Sequence, residues 1–214
     1  MKDRPGPQVI TSGKPALAMR PQGFAGRLFS ILMEAMNERA YAGAVEALAP
    51  GPGWRVLEIG FGTGRLAELL ARSAPFVSVA GVDPTPDMVC RARARLSARA
   101  LGARLDLREG SADDIPWPDR SFEAAVAAHS FQFWPDPEGN LRIIARKLEP
   151  GGRLVLVLRD HARRAPGWLP NPLSRSGNEI GSTKTLLVKL GYRDVTEAAP
   201  AGSSRIIVAS APSD

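Results

Sequence analysis

A glycine-rich segment that follows an apolar run is the feature that most restricts the fold. The run Val56–Ile59 is rich in β-formers, Gly60, Gly62 and Gly64 come next, and Arg65–Arg72 has a helical pattern. A strand that turns at glycines into a helix N-terminus brings bare backbone close to a ligand. The segment therefore predicts a nucleotide-type binding loop in an α/β domain.

The spacing of the glycines and two acids distinguish this loop from that of a dinucleotide-binding enzyme. Such an enzyme has the pattern G-x-G-x-x-G, whereas Gly64 comes one residue too early for it. Glu58 precedes the first glycine by two residues, where a carboxylate repels a pyrophosphate but attracts an ammonium group. Asp83 ends the next apolar run, a position from which a carboxylate accepts hydrogen bonds from ribose hydroxyls. Together they favour a nucleoside ligand that carries an ammonium group.

The rest of the chain alternates short apolar runs with helical patterns, which is typical of a mostly parallel sheet. Four nearly continuous apolar runs predict strands covered on both faces: 56–59, 76–82, 124–128 and 154–158. Residues 104–108 alternate as a half-exposed edge strand does. The runs 192–196 and 205–210 have no helix-length segment between them and predict an antiparallel pair. We expect a doubly wound, Rossmann-like α/β domain.

Three regions are predicted along the chain. Residues 1–20 are expected to be a disordered tail, and residues 21–50 a helical cap over the binding face, built from two helices near 24–36 and 40–49. Residues 51–214 are expected to form the α/β domain.

Cysteine and hydropathy patterns bear on the compartment. Cys90 is the single cysteine, so no disulfide forms within the chain, and no segment approaches the ~20 apolar residues of a membrane span. Positions 1–23 contain no apolar run of signal-peptide length. We expect a cytoplasmic protein without a membrane span. His129 and His161 are 32 residues apart and make a poor metal site, so we expect no metal.

The basic charge raises the question of a nucleic-acid partner. The net charge is +6, and Arg91, Arg95 and Arg99 fall on one face of a predicted helix. A solvated outer face is the favoured interpretation of this stripe, with an RNA contact as the alternative. We therefore do not expect a nucleic-acid partner.

Five segments resemble the motifs of class I S-adenosylmethionine-dependent methyltransferases, in particular the branch that includes ubiquinone and menaquinone biosynthesis methyltransferases. They are VLEIGFGTG at 56–64, GVDPTPDMV at 81–89, EGSADDIPW at 109–117, HSFQFWPDP at 129–137 and LEPGGRLVL at 148–156. The resemblance runs from about Arg20 to Ala209. It implies a seven-stranded sheet in the order 3-2-1-4-5-7-6, with strand 7 antiparallel.

The resemblance also implies S-adenosylmethionine as the cofactor and a set of cofactor-binding residues. These are Glu58, Gly60, Phe61, Gly62, Gly64, Asp83, Pro84, Met88, Ser111, Ala112, Asp113 and His129. Ser111 departs from the family, which usually has an acid at this place that contacts adenine, and Asp113 can substitute for it. Phe61, Phe131, Phe133 and Trp134 are expected in the loops around the sulfonium, where aromatic faces attract a cation. Phe133 and Trp134 can equally pack their loop onto the sheet.

Methyl transfer from a sulfonium is an in-line displacement, so the protein mainly has to align the reactants. His129, at the end of the fourth strand, is the candidate catalytic residue, either as a base for the acceptor or as a residue that lines the pocket. Apolar residues before the first strand and within 161–182 suggest a small organic or lipid-like acceptor.

Three other functions compete with this one: an RNA-modifying methyltransferase, an NAD-dependent oxidoreductase on the same fold class, and a non-catalytic nucleoside-binding module. The segment His129–Gln132 lacks the acid or asparagine, two prolines and aromatic residue of enzymes that methylate base amines. Glu58 and the glycine spacing argue against a nicotinamide cofactor. The sequence leaves the oligomeric state open.

Overall fold

The computed structural model describes residues 23–160 and 177–213. The expected tail at residues 1–20 and most of the apolar segment 161–182 lie outside these ranges. The described strands are β1 (Arg55–Ile59), β2 (Ser78–Asp83), β3 (Leu105–Glu109), β4 (Phe122–Ala128), β5 (Leu148–Arg159), β6 (Arg193–Ala201) and β7 (Ser204–Ser210). The described helices of more than one turn are α1 (Gly23–Leu48), α2 (Arg65–Ser73), α3 (Pro86–Ser97), α4 (Pro137–Lys147) and α5 (Gly177–Lys189).

The strands form one seven-stranded sheet in the order β3-β2-β1-β4-β5-β7-β6. The pairs among β1 to β5 are parallel, whereas β7 runs antiparallel to both β5 and β6. This topology confirms the predicted doubly wound sheet and its antiparallel final pair.

Alternating strand residues bury the two faces of the sheet against different helices. Val56 of β1 faces a core that includes residues of α1, α2 and α3, whereas its neighbour Leu57 faces a core that includes residues of α4 and α5. Both side chains are fully buried. Strands buried on both faces favour apolar residues at nearly every position, which explains why β1 was recognisable as an apolar run interrupted only by Glu58.

Two details of the predicted elements are wrong. The expected pair of helices before β1 is one continuous helix, α1. The predicted break between them is occupied by Asn37, Glu38 and Arg39, and there is no glycine or proline there to end the helix. Phe76, expected at the start of β2, lies before the strand and is 81% exposed. Its φ of 60° is left-handed, so it belongs to the turn that leads into β2.

A buried acid joins α1, α2 and α3. Glu68 of α2 forms ion pairs with Arg65, Arg72, Arg95 and Arg99, at 2.8 to 3.6 Å. Burial alone would raise the pKa of Glu68, but the arginines outweigh burial and lower it. The expected solvated stripe is therefore wrong for Arg95, which also pairs with Glu34 of α1 at 2.7 Å.

No helix within the described ranges is long and apolar enough to cross a membrane.

Candidate active site

A cavity of about 400 Å³ lies at the carboxyl ends of the parallel strands, which is the usual binding edge of such a sheet. Its floor includes the ends of β1, β2, β4 and β5, and α1 contributes one wall. All but three of the predicted cofactor-binding residues line it: Gly60, Gly62, Asp83, Pro84, Met88, Ser111, Ala112, Asp113 and His129.

The glycine loop between β1 and α2 uses left-handed backbone at three positions. Gly60, Gly62 and Gly64 have φ values of 77°, 53° and 76°. A Cβ on Gly62 would meet nothing within 4 Å, because this residue faces the open cavity. A Cβ on Gly64 would lie 2.9 Å from Cβ of Ala92 on α3. The two glycines therefore serve different purposes: Gly62 leaves room for a ligand, and Gly64 allows two helices to pack closely.

Asp83 fixes the loop from the end of β2. Its Oδ2 accepts a hydrogen bond from the amide of Gly62 at 2.8 Å, and its Oδ1 accepts one from the amide of Thr85 at 2.9 Å. Burial raises the pKa of Asp83, and these two amides only partly oppose the rise. Each carboxylate oxygen has further lone pairs, so Asp83 can hold the loop and still accept hydrogen bonds from a ligand.

Glu58 is buried below the loop and does not line the cavity. Its Oε2 has no hydrogen-bond partner. Burial raises the pKa of Glu58 well above its ordinary value, and the neighbouring Asp83 raises it further. Asp83 lines the cavity and Glu58 is buried behind it, so the charge of Asp83 makes this end of the cavity attractive to a cation.

The segment 109–117 forms a further wall. Its Ser111, Ala112 and Asp113 line the cavity, and the hydroxyl of Ser111 donates to Asp113. Ser111 and Asp113 therefore form one polar unit, and the substitution of Asp113 for the missing acid stays a prediction. Met88 of α3 adds an apolar side chain to the cavity lining.

His129 follows β4 in a left-handed conformation, with a φ of 56°. Its Nδ1 is buried without a partner, and its Nε2 lies 3.5 Å from the hydroxyl of Ser204. Burial and the charge of Arg159 lower the pKa of His129 to about 3. The imidazole is therefore neutral near pH 7, which favours pocket lining and hydrogen bonding over strong basicity.

Phe61 and Gly64 are not brought to the cavity. Phe61 is 4% exposed and packs in the core below the loop, against Gly81 of β2, so its ring cannot face a sulfonium in the cavity. Phe131 is likewise in the core and stacks edge-on with Trp134. Phe133 and Trp134 do line the cavity, and Trp134 also packs against the core.

The lining residues that the sequence reasoning missed include Glu34, Asn37, Tyr41 and Arg159. The first three lie on one face of α1 at helical spacing. Arg159 is the charged residue that directly follows the apolar residues Leu154–Leu158 of β5. A polar stripe on a capping helix and a charge at the end of a buried strand were the signals available.

The comparisons with known proteins agree with this geometry. Residues 57–156 match the family model described as a methyltransferase domain. A demethylmenaquinone methyltransferase from Deinococcus radiodurans is 42% identical over 116 residues, which is 54% of this chain and 47% of that protein. Just under half of the chain therefore matches a methyltransferase domain.

Two further matches extend the comparison. A phosphatidylethanolamine N-methyltransferase from Cereibacter sphaeroides is 33% identical over 60% of this chain and 63% of that protein. A crystal structure of an S-adenosylmethionine-dependent methyltransferase from Aquifex aeolicus shares the fold, with a TM-score of 0.74 at 20% identity, over 88% of this chain and all of that one. The methyltransferase domain confirms the resemblance drawn from the motifs. The chain spans about half the length of the first curated relatives it matches.

Proposed function

We propose that this protein is an S-adenosylmethionine-dependent methyltransferase that acts on a small organic or lipid-like acceptor. The cavity carries the proposal, because it joins a cofactor-type half, formed by the glycine loop, Asp83 and residues 109–117, to a half walled by α1 and the ends of β4 and β5. The methyltransferase domain matched over residues 57–156 supports it, and gives no support to the NAD-dependent alternative.

The residues present fit the cofactor. The open space at Gly62 leaves room for a ligand against bare backbone, and the unsatisfied Oε2 of Glu58 suits a cationic group. In the proposed arrangement Asp83 holds the ribose, Met88 and residues 111–113 hold the adenine, and Glu58 attracts the ammonium group, directly or through water.

S-adenosylmethionine, when bound, supplies a methyl group on a positively charged sulfur, ready for in-line displacement. The protein's own contribution is to fix geometry and exclude water. Asp83 holds the loop amides of Gly62 and Thr85, and α1 covers the cavity with Asn37 and Tyr41. Burial raises the pKa of Tyr41 to about 12, so its phenol stays protonated and can donate a hydrogen bond.

The acceptor half is compatible with a planar organic molecule. Tyr41, Phe133 and Trp134 present aromatic surface to the cavity, whose volume lies within the ~300–1,000 Å³ of ordinary ligand sites. The Deinococcus relative is named for a quinone acceptor, which points the search toward quinols and phenols first.

The site of action and the partners are part of the proposal. We place the protein in the cytoplasm, because one cysteine suits a reducing compartment. We expect no nucleic-acid partner, since Arg95 and Arg99 of the basic stripe are engaged with Glu68. Steep salt-dependent retention of the protein on heparin and tRNA would contradict this expectation.

The decisive experiment is a calorimetric titration of the protein with S-adenosylhomocysteine and, separately, with NAD. We expect saturable binding of the first only. Methyl-labelled S-adenosylmethionine is then incubated with the protein and a pool of quinols, phenols and lipids, and products heavier by one methyl group are sought by mass spectrometry. The matched control is Gly62→Val, whose side chain fills the space open at this residue. Binding of NAD in place of the homocysteine derivative would refute the proposal.

A further inference from the structure

Arg159 is a buried cation at the edge of the cavity. It is the last residue of β5, is 5% exposed, and lines the cavity directly after fully buried apolar residues of the same strand. A guanidinium stays protonated in proteins, so its charge is retained here. Taking such a charge out of water is costly unless a counter-charge and hydrogen bonds compensate.

Within residues 23–160 and 177–213 this compensation is incomplete. The Nη2 of Arg159 donates to Oδ1 of Asn37 at 2.7 Å, but its Nε is buried and has no partner. Burial lowers the pKa of Arg159, and the one group that opposes this is the phenol of Tyr41, not a carboxylate. Arg65 and Arg95, in contrast, each pair with two glutamates.

The neighbours of Arg159 are neutral hydrogen-bonding groups. Asn37 contacts both Arg159 and the hydroxyl of Tyr41, and the phenol of Tyr41 stays protonated. His129 is neutral, and its Nδ1 is also buried without a partner. We call these four residues, Arg159, Asn37, Tyr41 and His129, the arginine end of the cavity. All four line the cavity, and the cluster offers one full positive charge with several hydrogen-bond donors.

The described carboxylates near the cavity do not form an ion pair with Arg159. Glu34 bonds to Thr63 and Arg95, and Asp83 accepts from two backbone amides. The charge of Glu58 raises the pKa of Tyr41, and the charge of Asp83 raises the pKa of Glu58. The cavity thus has an acidic end at Asp83, with Glu58 buried behind it, and a cationic end at Arg159.

We propose that the arginine end binds a carboxylate of the methyl acceptor, with Arg159 as the residue that recognises it. This inference rests on the proposed function, because it assigns the acidic end to the cofactor and leaves the arginine end for the second substrate. A planar carboxylate matches the donor geometry of a guanidinium and would supply a counter-charge to Arg159. Arg159 then acts by binding and orienting the acceptor.

Benzoate and its neutral analogue benzamide are the probes, titrated into the protein saturated with S-adenosylhomocysteine. We expect benzoate to bind about tenfold or more tightly than benzamide, because hydrogen bonds to a charged group are the stronger ones. Arg159→Met is expected to weaken benzoate binding by about tenfold or more and to leave benzamide unchanged. Arg142→Met removes the same charge from an exposed position on α4 and should change neither. Equal affinity for the two probes in the wild type would overturn the proposal.

The cofactor's own carboxylate is the other possible source of the anion, and a second pair of titrations separates the two. S-adenosylhomocysteine carries that carboxylate, whereas 5′-methylthioadenosine lacks the amino-acid part. We expect Arg159→Met to bind both with less than about a twofold change. If the variant loses affinity for S-adenosylhomocysteine alone, Arg159 serves the cofactor and the proposal is wrong.

Folding and the proposed function are controlled separately. Arg159→Met removes an incompletely compensated buried charge, so we expect it to melt at or above the wild-type temperature. Arg159→Gln, which keeps a donor for Asn37, repeats the titrations if the first variant does not fold. If the wild type does not bind S-adenosylhomocysteine, the proposed function fails. In that case benzoate is titrated into the protein without S-adenosylhomocysteine. Binding to the wild type that is lost in Arg159→Met would still support the anion site, and no binding to the wild type would contradict it.

Discussion

Alanine substitutions at Gly62 and Gly64 should separate ligand binding from stability within one loop. Both residues have left-handed φ values, 53° and 76°, so alanine pays a similar backbone cost of about 1–2 kcal/mol at either position. The surroundings differ. A Cβ on Gly62 enters open cavity, whereas a Cβ on Gly64 lies 2.9 Å from Cβ of Ala92 and 3.2 Å from Cδ1 of Leu96.

The magnitudes follow from this difference. Overpacking costs about 1–3 kcal/mol, so Gly64→Ala should lower the free energy of unfolding by about 2–5 kcal/mol in total. Gly62→Ala should lower it by the backbone cost alone, about 1–2 kcal/mol. At Gly62 the added Cβ would instead crowd the bound ligand. Gly62→Ala should therefore weaken the binding of S-adenosylhomocysteine by about tenfold to a hundredfold.

Urea unfolding gives the stabilities, and calorimetric titration with S-adenosylhomocysteine gives the affinities. Each variant is the other's control, because the backbone cost is common to both. We expect Gly64→Ala to bind within about threefold of the wild type at a temperature where it is fully folded. The reasoning is refuted if the two variants lose equal stability, or if Gly62→Ala binds as tightly as the wild type.

Three further predictions concern the acids and the histidine. Asp83→Ala should weaken S-adenosylhomocysteine by about tenfold or more, measured by calorimetry, since hydrogen bonds to a carboxylate are lost; unchanged affinity would remove Asp83 from the ribose site. Burial and Asp83 raise the pKa of folded Glu58, so its contribution to stability is present below its unfolded value near 4.5 and is lost as the pH rises through the raised folded value. Glu58→Gln cannot ionise and should gain stability relative to the wild type over that rise, and a difference in unfolding free energy that does not vary with pH would contradict this. Because burial lowers the pKa of His129 to about 3, turnover of the wild type should show no acidic limb from this residue between about pH 6 and about pH 9. An acidic limb that disappears in His129→Ala would instead identify a base, and a turnover within about threefold of the wild type would leave it as pocket lining.

The cofactor half of the cavity was largely predictable from the sequence because its information is local. The glycines, Glu58 and Asp83 lie at strand ends, and an apolar run followed by glycines locates a strand end without knowledge of the fold. Phe61 shows where local reasoning stops. Its position in the loop was correct, but the direction of its side chain depends on the close approach of Gly81 on the neighbouring strand.

The arginine end was not predictable in the same way. Asn37 and Arg159 are 122 residues apart in sequence and meet only after α1 has packed beside β5. The prediction that the basic stripe is solvated was wrong for Arg95 for a similar reason. Helical spacing places Arg95 and Arg99 on one face, but only the packing of α2 reveals that Glu68 is buried against that face.

The place of β7 in the sheet has a consequence for how the chain matures during its synthesis. β7 is the last of the described strands to leave the ribosome, yet it lies between β5 and β6. α1 emerges before the described strands and packs against the hairpin formed by β6 and β7. The contact is so close that a Cβ on Gly43 would lie 2.6 Å from Cβ of Ala201. Part of the docking surface of the helix that carries Asn37 and Tyr41 is therefore absent until β6 and β7 have been synthesised. β1 to β4, with the glycine loop, can pair earlier. The cofactor-type half of the cavity can therefore form while β5 to β7 are still being translated.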